Sequence, residues 1–358
     1  MTYEPKALIA EVTYRCPLHC VYCSNPLEMR KRSEELATAD WRSIFQQAGQ
    51  MGVLQLHLTG GEPLARADIN DLVKAGRSSG LYINLITSGV GLDGPRLDGL
   101  INAGLDHIQL SFQDIEEGPA NEFAGTRSHA LKLKMASLIR ERRIGFTLNM
   151  VVHRSNLSRL EEMIAFAEQS GAQRVEIAHV QYYGWALKNR DALLPTRDQV
   201  DRSIEIVDAA RERLKGRLRI DFVLPDYYAK YPKPCMNGWG HQLILIDPTG
   251  RVLPCHAAGV IPGLEFSSTR EHPLRWIWEE SPAFNRFRDE SWMPEPCQSC
   301  DRRTRDFGGC RCQAFLLTGD AAATDPVCTL APSHGVVEKI LAEVNGAKPS
   351  WVYRIDPA

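Results

Sequence analysis

A chain of 358 residues, 44% hydrophobic and 24% charged, has the balance of a soluble globular protein, with room for one large domain and a smaller companion. The net charge of −2 and the lack of a basic stripe argue against nucleic acid as a partner. The first ten residues hold no basic stretch leading into an apolar run, and nothing approaches the roughly 18 apolar residues of a bilayer span, so no signal peptide or membrane contact and a cytoplasmic location are expected.

Along the first part of the chain, short runs rich in Val, Ile and Leu predict buried strands at residues 8–13, 53–58, 81–87, 107–112, 145–152 and 174–180. Helical spacing fills the gaps. Trp41, Ile44, Phe45 and Ala48 share one face, with Asp40 as the expected N-cap, and Ile69, Leu72, Val73 and Gly76 repeat the pattern. Further helices are expected at 95–103, 128–142, 157–170 and 196–214, with Ser155 or Asn156 capping the third of these. Six strand–helix repeats predict an α/β fold with a parallel sheet and right-handed crossovers. Either a doubly wound sheet or a partial (β/α)6 barrel satisfies the pattern. Both place ligands at the C-terminal ends of the strands.

The texture changes near residue 223. Pro225, Pro232, Pro234, Pro248, Pro254, Pro262 and Pro273 break the periodicity, and residues 242–247 and 251–253 flank Pro248-Thr249-Gly250 as a β-hairpin. Such a loop-rich segment has a thin apolar core and needs metal staples to hold one shape. The expected organisation is a domain over 1–222, a second over 223–346, and a loosely held tail over 347–358.

Ten cysteines fall in two groups, with none between Cys23 and Cys235. A small secreted disulfide scaffold would be studded more evenly, so metal binding is the better reading. Cys16-x3-Cys20-x2-Cys23 follows the first strand. Three thiolates on one loop can hold three irons of a cubane and leave the fourth open for chemistry. A zinc site would want a fourth protein ligand, and the one neighbour, His19, sits awkwardly between two others.

This spacing resembles the radical S-adenosylmethionine (SAM) superfamily, and Thr59-Gly60-Gly61-Glu62-Pro63 at the end of the second strand is similar to that family's GGEP motif. The resemblance implies a radical SAM barrel whose 4Fe-4S cluster is chelated by SAM. It assigns Tyr22 to the adenine, Gly60, Gly61 and Glu62 to the SAM amino group, and Ser111 and Asn149 to its ribose and carboxylate. Ser111 and Asn149 read equally well as hydrogen-bonded interior polar residues.

Cys235-x14-Gly250-x4-Cys255, then Cys297-x2-Cys300-x5-Asp306-x3-Cys310-x-Cys312 and Cys328, resembles the SPASM extension, which carries two auxiliary iron–sulfur clusters of 4Fe-4S or 2Fe-2S type. The departure is Asp306, where the pattern has cysteine. Family topology implies Cys235, Cys255, Cys310 and Cys312 for cluster I, and Cys297, Cys300, Asp306 and Cys328 for cluster II. A surface acid at 306, and zinc for the whole segment, are the plainer alternatives.

Cys16-Pro17-Leu18-His19-Cys20-Val21-Tyr22-Cys23-Ser24-Asn25-Pro26, Gln181-Tyr182-Tyr183-Gly184-Trp185-Ala186 and Cys235-Met236-Asn237-Gly238-Trp239-Gly240, with Asp306, resemble the PqqA peptide cyclases of pyrroloquinoline quinone (PQQ) biosynthesis. That resemblance implies a Glu–Tyr carbon–carbon crosslink in the precursor peptide PqqA, a peptide chaperone PqqD and a flavodoxin-like electron donor. Its rivals are another SPASM peptide-modifying enzyme, of the sulfatase-maturase or thioether-forming type, and a non-catalytic iron–sulfur or zinc protein. The second of these leaves Thr59–Pro63 without a purpose.

Overall fold

Each apolar run of the first half is a strand: β1 (Ala7–Thr13), β2 (Gln55–Gly60), β3 (Tyr82–Thr87), β4 (His107–Phe112), β5 (Gly145–Val152) and β6 (Arg174–His179). The computed structural model describes residues 3–343 and 350–356. The six strands are parallel, and their order in the sheet is their order in the chain. A doubly wound sheet reverses direction at a switch point; here every crossover steps to the next neighbour the same way, which is the winding of a barrel.

The sheet runs past the six expected strands at both ends. β7 (Arg219–Val223) pairs in parallel with β6, and β8 (Leu243–Ile246) pairs in parallel with β1. The predicted hairpin exists, with β9 (Val252–Leu253) antiparallel to β8, but its first strand belongs to the barrel sheet. Asp247 fixes its turn. One carboxylate oxygen accepts from Thr249 N (2.9 Å), Thr249 Oγ1 (2.7 Å) and Arg251 N (3.1 Å), and the other from Arg251 Nε (2.7 Å). β7 and β9 lie at opposite edges, so the arc of strands stays open among the described residues.

Six helices pack on the barrel core: α1 (Thr38–Gln50), α2 (Ile69–Ser78), α3 (Gly94–Ala103), α5 (His129–Arg142), α6 (Leu160–Gln169) and α9 (Arg197–Arg213); α4 (Glu117–Ala124), α7 (Gly184–Lys188) and α8 (Arg190–Leu193) pack instead around Val21 of the three-cysteine loop. The buried face of α1 is the expected one, Trp41, Ile44, Phe45 and Ala48. Its N-cap is Ala37, not Asp40. Asp40 stands at the third helical position and accepts from Ala37 N at 2.9 Å, satisfying the helix start from inside. Asn156 precedes the 3₁₀ turn Leu157–Arg159 that leads into α6, yet its Oδ1 accepts from His153 N (2.8 Å) instead of capping the turn. On α2, a Cβ at Gly76 would stand 2.6 Å from Ile83 Cδ1 and 2.7 Å from Leu56 Cδ2, so glycine lets the helix settle onto the sheet.

Residues 347–349 and 357–358 lie outside the described part, but residues 350–356 are held firmly, against the expectation of a loose tail. Val352 N donates to Asn189 Oδ1 (2.8 Å) and Asn189 Nδ2 to Val352 O (2.7 Å). Trp351 Nε1 donates to Glu122 Oε1 (2.7 Å), and Arg354 is 2% exposed.

Candidate active site

β1 ends in a register shift between Glu11 and Thr13, and the three-cysteine loop leaves from there. Gly61 N donates to Thr13 O and Glu62 N to Arg15 O, both at 2.7 Å, which ties the end of β2 to the start of that loop. The glycine pair is a steric requirement. A Cβ at Gly60 would lie 2.3 Å from Thr13 O, and one at Gly61 would lie 2.4 Å from Arg15 O and 2.5 Å from Tyr14 O. The other side of this doublet opens on a cavity of about 230 Å³.

That cavity gathers Cys16, Cys20, Cys23, Tyr22, Gly60, Gly61, Ser111 and Asn149. Ser111 and Asn149 are register partners on β4 and β5. Glu62 stands behind the glycines and is 1% exposed. Its carboxylate accepts from Leu64 N (3.1 Å), Thr87 Oγ1 (2.6 Å), Ser88 N (2.8 Å) and Ser88 Oγ (2.5 Å), so it fastens the β3 loop to the β2 loop. Burial lifts its pKa above the usual carboxylate range.

Two cations that the sequence reading did not single out complete this region. Lys132 on α5 is 1% exposed, and its Nζ donates to Ser111 O (2.9 Å) and Gln113 Oε1 (2.5 Å), residues that line the cavity. Burial pushes its pKa down to about 8. Arg354 enters from the far end of the chain and lines the cavity with the cysteines. Its Nε is buried with no acceptor among the described residues. Burial also holds the thiols protonated, Cys20 up to about 12 and Cys16 and Cys23 in the same direction. Metal must therefore displace protons on binding.

The seven later cysteines form two groups. Cys255 Sγ and Cys312 Sγ are 3.7 Å apart, and Cys235, Cys255 and Cys310 line one hollow. Tyr183 Oη lies 3.1 Å from Cys310 Sγ, which places the aromatic run after β6 against this group. Asp325 Oδ2 accepts from Cys310 N at 2.7 Å, and burial lifts its pKa to about 7. Cys297, Cys300, Asp306 and Cys328 surround a second hollow. Asp306 is 7% exposed, with Oδ2 accepting from Arg302 Nε (3.2 Å) and Oδ1 from Gly308 N (3.2 Å). Among the described residues no three His, Cys, Asp or Glu side chains converge as the ligands of one ion would. A cluster asks for a different arrangement, one thiolate per iron.

Between the first loop and the hairpin lies a larger cavity of about 550 Å³, lined by Glu11, Tyr14, Tyr183, Asp247, Arg251 and His256 among others. Glu11 Oε1 is 2.9 Å from His256 Nδ1. Burial opposes charge on His256, but the Glu11 carboxylate outweighs it and raises the pKa. Ser24, one residue past Cys23, lines this cavity, the 230 Å³ cavity and the hollow at Cys235, Cys255 and Cys310.

Residues 10–167 match the Radical SAM superfamily, and residues 235–301 match the SPASM iron–sulfur cluster-binding domain. Over 351 residues, 98% of both chains, the sequence is 54% identical to the PqqA peptide cyclase of Gluconobacter oxydans (strain 621H). The chain belongs to the PqqA peptide cyclase family. A second member, from Methylobacterium nodulans, is 53% identical over 98% of this chain and 93% of its own, and one from Granulibacter bethesdensis is 52% identical over 98% and 94%. The cyclase-family chain shares its fold with Streptococcus suis SuiB bound to S-adenosylmethionine, with a TM-score of 0.77 at 21% identity, over 92% of this chain and 78% of SuiB. It also shares it with anSMEcpe bound to AdoMet, with a TM-score of 0.65 at 14% identity, over 95% and 96%.

The chain is therefore a radical SAM enzyme with a 4Fe-4S cluster that binds SAM and a SPASM domain that binds auxiliary iron–sulfur clusters. The residues present fit the first of these groups. A cavity ringed by three thiols holds a buried guanidinium N–H that has no acceptor among the described residues. No helix among the described residues is long and apolar enough to cross a membrane.

Proposed function

We propose that this enzyme joins a glutamate and a tyrosine side chain of the precursor peptide PqqA by a carbon–carbon bond, an early step of PQQ biosynthesis. The observation that carries the reading is near-full-length identity of 54% to a PqqA peptide cyclase. The shared Ser24 wall supports it, because a SAM cavity and a larger cavity meet there.

Cys16, Cys20 and Cys23 hold the first cluster, Cys235, Cys255, Cys310 and Cys312 the second, and Cys297, Cys300, Asp306 and Cys328 the third. When bound, the first cluster and SAM supply a 5′-deoxyadenosyl radical able to remove a hydrogen atom from the γ-carbon of the glutamate. The chain's own residues orient and seclude. Tyr22, Gly60, Gly61, Ser111 and Asn149 wall the SAM cavity, while Glu62 locks the β2 and β3 loops that shape it. Lys132 is a buried cation with no carboxylate within ion-pair reach among the described residues, and SAM brings one. The 550 Å³ cavity takes the reacting glutamate and tyrosine. Its Arg251 and His256 are already paired with Asp247 and Glu11.

On the peptide, one hydrogen leaves as an atom and the other as a proton together with one electron, and one carbon–carbon bond forms. PqqD is the proposed peptide chaperone and a flavodoxin-like protein the proposed electron donor. The test is anaerobic incubation of reconstituted enzyme with reductant, SAM, PqqA and PqqD, followed by mass spectrometry. The expected product has lost two hydrogens, and its fragmentation is blocked between a Glu and a Tyr. 5′-Deoxyadenosine with an unchanged peptide would reject PqqA as substrate and keep the radical chemistry.

A further inference from the structure

Arg354 lies 331 residues beyond Cys23 in sequence and beside it in space. Its backbone is paired to the cysteine loop in both directions. Arg354 N donates to His19 O (3.3 Å), and Arg354 O is 2.8 Å from His19 Nδ1. His19 stands between Cys16 and Cys20, so the tail is registered against the loop that holds the ligands.

The donors of the guanidinium can be counted. An arginine side chain has five N–H groups. Nη1 donates to Leu18 O (3.4 Å) and Asp356 Oδ1 (2.6 Å). Nη2 donates to Tyr14 O and to Met29 Sδ (3.4 Å). Four donors are thus placed, two of them on carbonyls that flank Cys16. The fifth, on Nε, is buried and has no acceptor among the described residues. A buried donor left unpaired is costly, and most find a partner. The charge is short of a partner too. Arg354 is 2% exposed, while its acid, Asp356, has a side chain that is 43% exposed and solvated. The thiols nearest in electrostatic terms are Cys23 and Cys16.

We propose that Arg354 is a positioning residue of the first cluster: its Nε–H donates to a sulfur of that cluster, and its buried positive charge makes the cluster easier to reduce. Reduction adds a negative charge to the site, and a fixed cation in a water-poor pocket favours the more negative state. The radical centre then depends on a segment that arrives after both auxiliary sites. The inference rests on family membership and on Cys16, Cys20 and Cys23 as ligands; the crosslink reading does not enter it.

The test is a potentiometric titration of reconstituted enzyme without peptide, following the EPR signal that changes when SAM is added. Arg354→Gln should lower the equilibrium constant for reduction of that cluster by about tenfold, equivalent to about 59 mV for one electron. Iron and sulfide contents should stay at the wild-type level. Arg354→Lys keeps the charge and should recover most of the drop. Asp356→Asn lies at the surface and should move the potential the other way, by about twofold in the same constant, because the guanidinium then faces the cluster uncompensated. If Arg354→Gln fails to fold, Asp356→Asn decides alone: an upward shift supports the proposal, and no shift or a downward one overturns it. An unchanged potential in a fully loaded Arg354→Gln protein also overturns it, as does a Lys variant as low as the Gln one. None of these readouts needs PqqA, so failure of the crosslink assay leaves them intact.

Discussion

Lys132 carries its charge into the barrel wall, and its Nζ meets a carbonyl and an amide oxygen rather than a carboxylate. A buried cation with only neutral acceptors is expensive, and burial already pulls its pKa down to about 8. A SAM carboxylate seated in the cavity walled by Ser111 and Gln113, the acceptors of Lys132, would favour the protonated lysine. Lys132→Met should therefore weaken SAM binding by at least tenfold in an equilibrium dialysis measurement. The wild-type affinity should fall as pH rises above about 8, where the lysine loses its proton, and the variant should lack that dependence. Equal affinity for the two proteins at pH 7 would sink the assignment. Gly61→Ala tests the steric side of the same site. Its new Cβ would meet two backbone oxygens, at 2.4 and 2.5 Å, and backbone has no rotamer through which to yield. The first cluster should be lost, with the SAM-responsive EPR signal down more than tenfold and the auxiliary signals kept.

At the scale of single residues, legibility followed distance along the chain. The cysteine spacings and Thr59–Pro63 are local patterns whose chemistry can be read directly. Lys132 sits on the buried face of α5 with His129, Met135, Ala136 and Ile139, where sequence shows only a polar interruption of an apolar stripe. Arg354 and Glu11 gain their partners from segments more than 200 residues away, and no periodicity signals such a meeting.

At the scale of elements, the strands of the first half were legible to within two residues at either end, because buried parallel strands concentrate Val, Ile and Leu. β7 was not, being five residues long with just one of them buried. The hairpin was legible through its Pro248-Thr249-Gly250 turn, but the pairing of β8 with β1 was not, since it joins Leu8 to Ile244 across most of the chain. This pairing has a mechanical consequence. Ile244 is fully buried on a strand that serves the barrel and the hairpin together. Ile244→Ala should cost about 2–5 kcal/mol. Because the sheet is continuous, far-UV circular dichroism and tryptophan fluorescence should follow one coincident urea transition in variant and wild type alike. Two separated transitions in the wild type would show that the hairpin unfolds apart from the barrel.

At the scale of the whole molecule, buried ionisable groups pull the acid response in opposite directions. His153 and His179 are held down to about 3 by burial. Asp325, lifted to about 7 by burial, acts the other way, and Glu62 and Asp226 are lifted too. The sign for a histidine follows from proton counts. Its folded pKa is depressed below the ordinary histidine value of 6.5, so between those limits the unfolded chain binds a proton that the folded chain refuses. That contribution to stability is complete above pH 6.5 and is lost as pH falls toward 3. The carboxylates gain over much of the same range, so the wild-type pH profile alone cannot apportion the effect. A difference between two proteins can. His179 is 3% exposed at the end of β6, and neither ring nitrogen has a hydrogen-bond partner among the described residues. His179→Leu should thus cost little at pH 7.5, since no hydrogen bond is lost. Below pH 6.5 the variant should gain on the wild type by up to about 1.4 kcal/mol per pH unit, the worth of one proton. Urea midpoints measured anaerobically at pH 7.5, 6.5 and 5.5 would show the gap opening downward. A gap that stays constant across the three would mean that His179 accepts its proton in the folded state, through a partner such as an ordered water, and that burial alone does not set its charge.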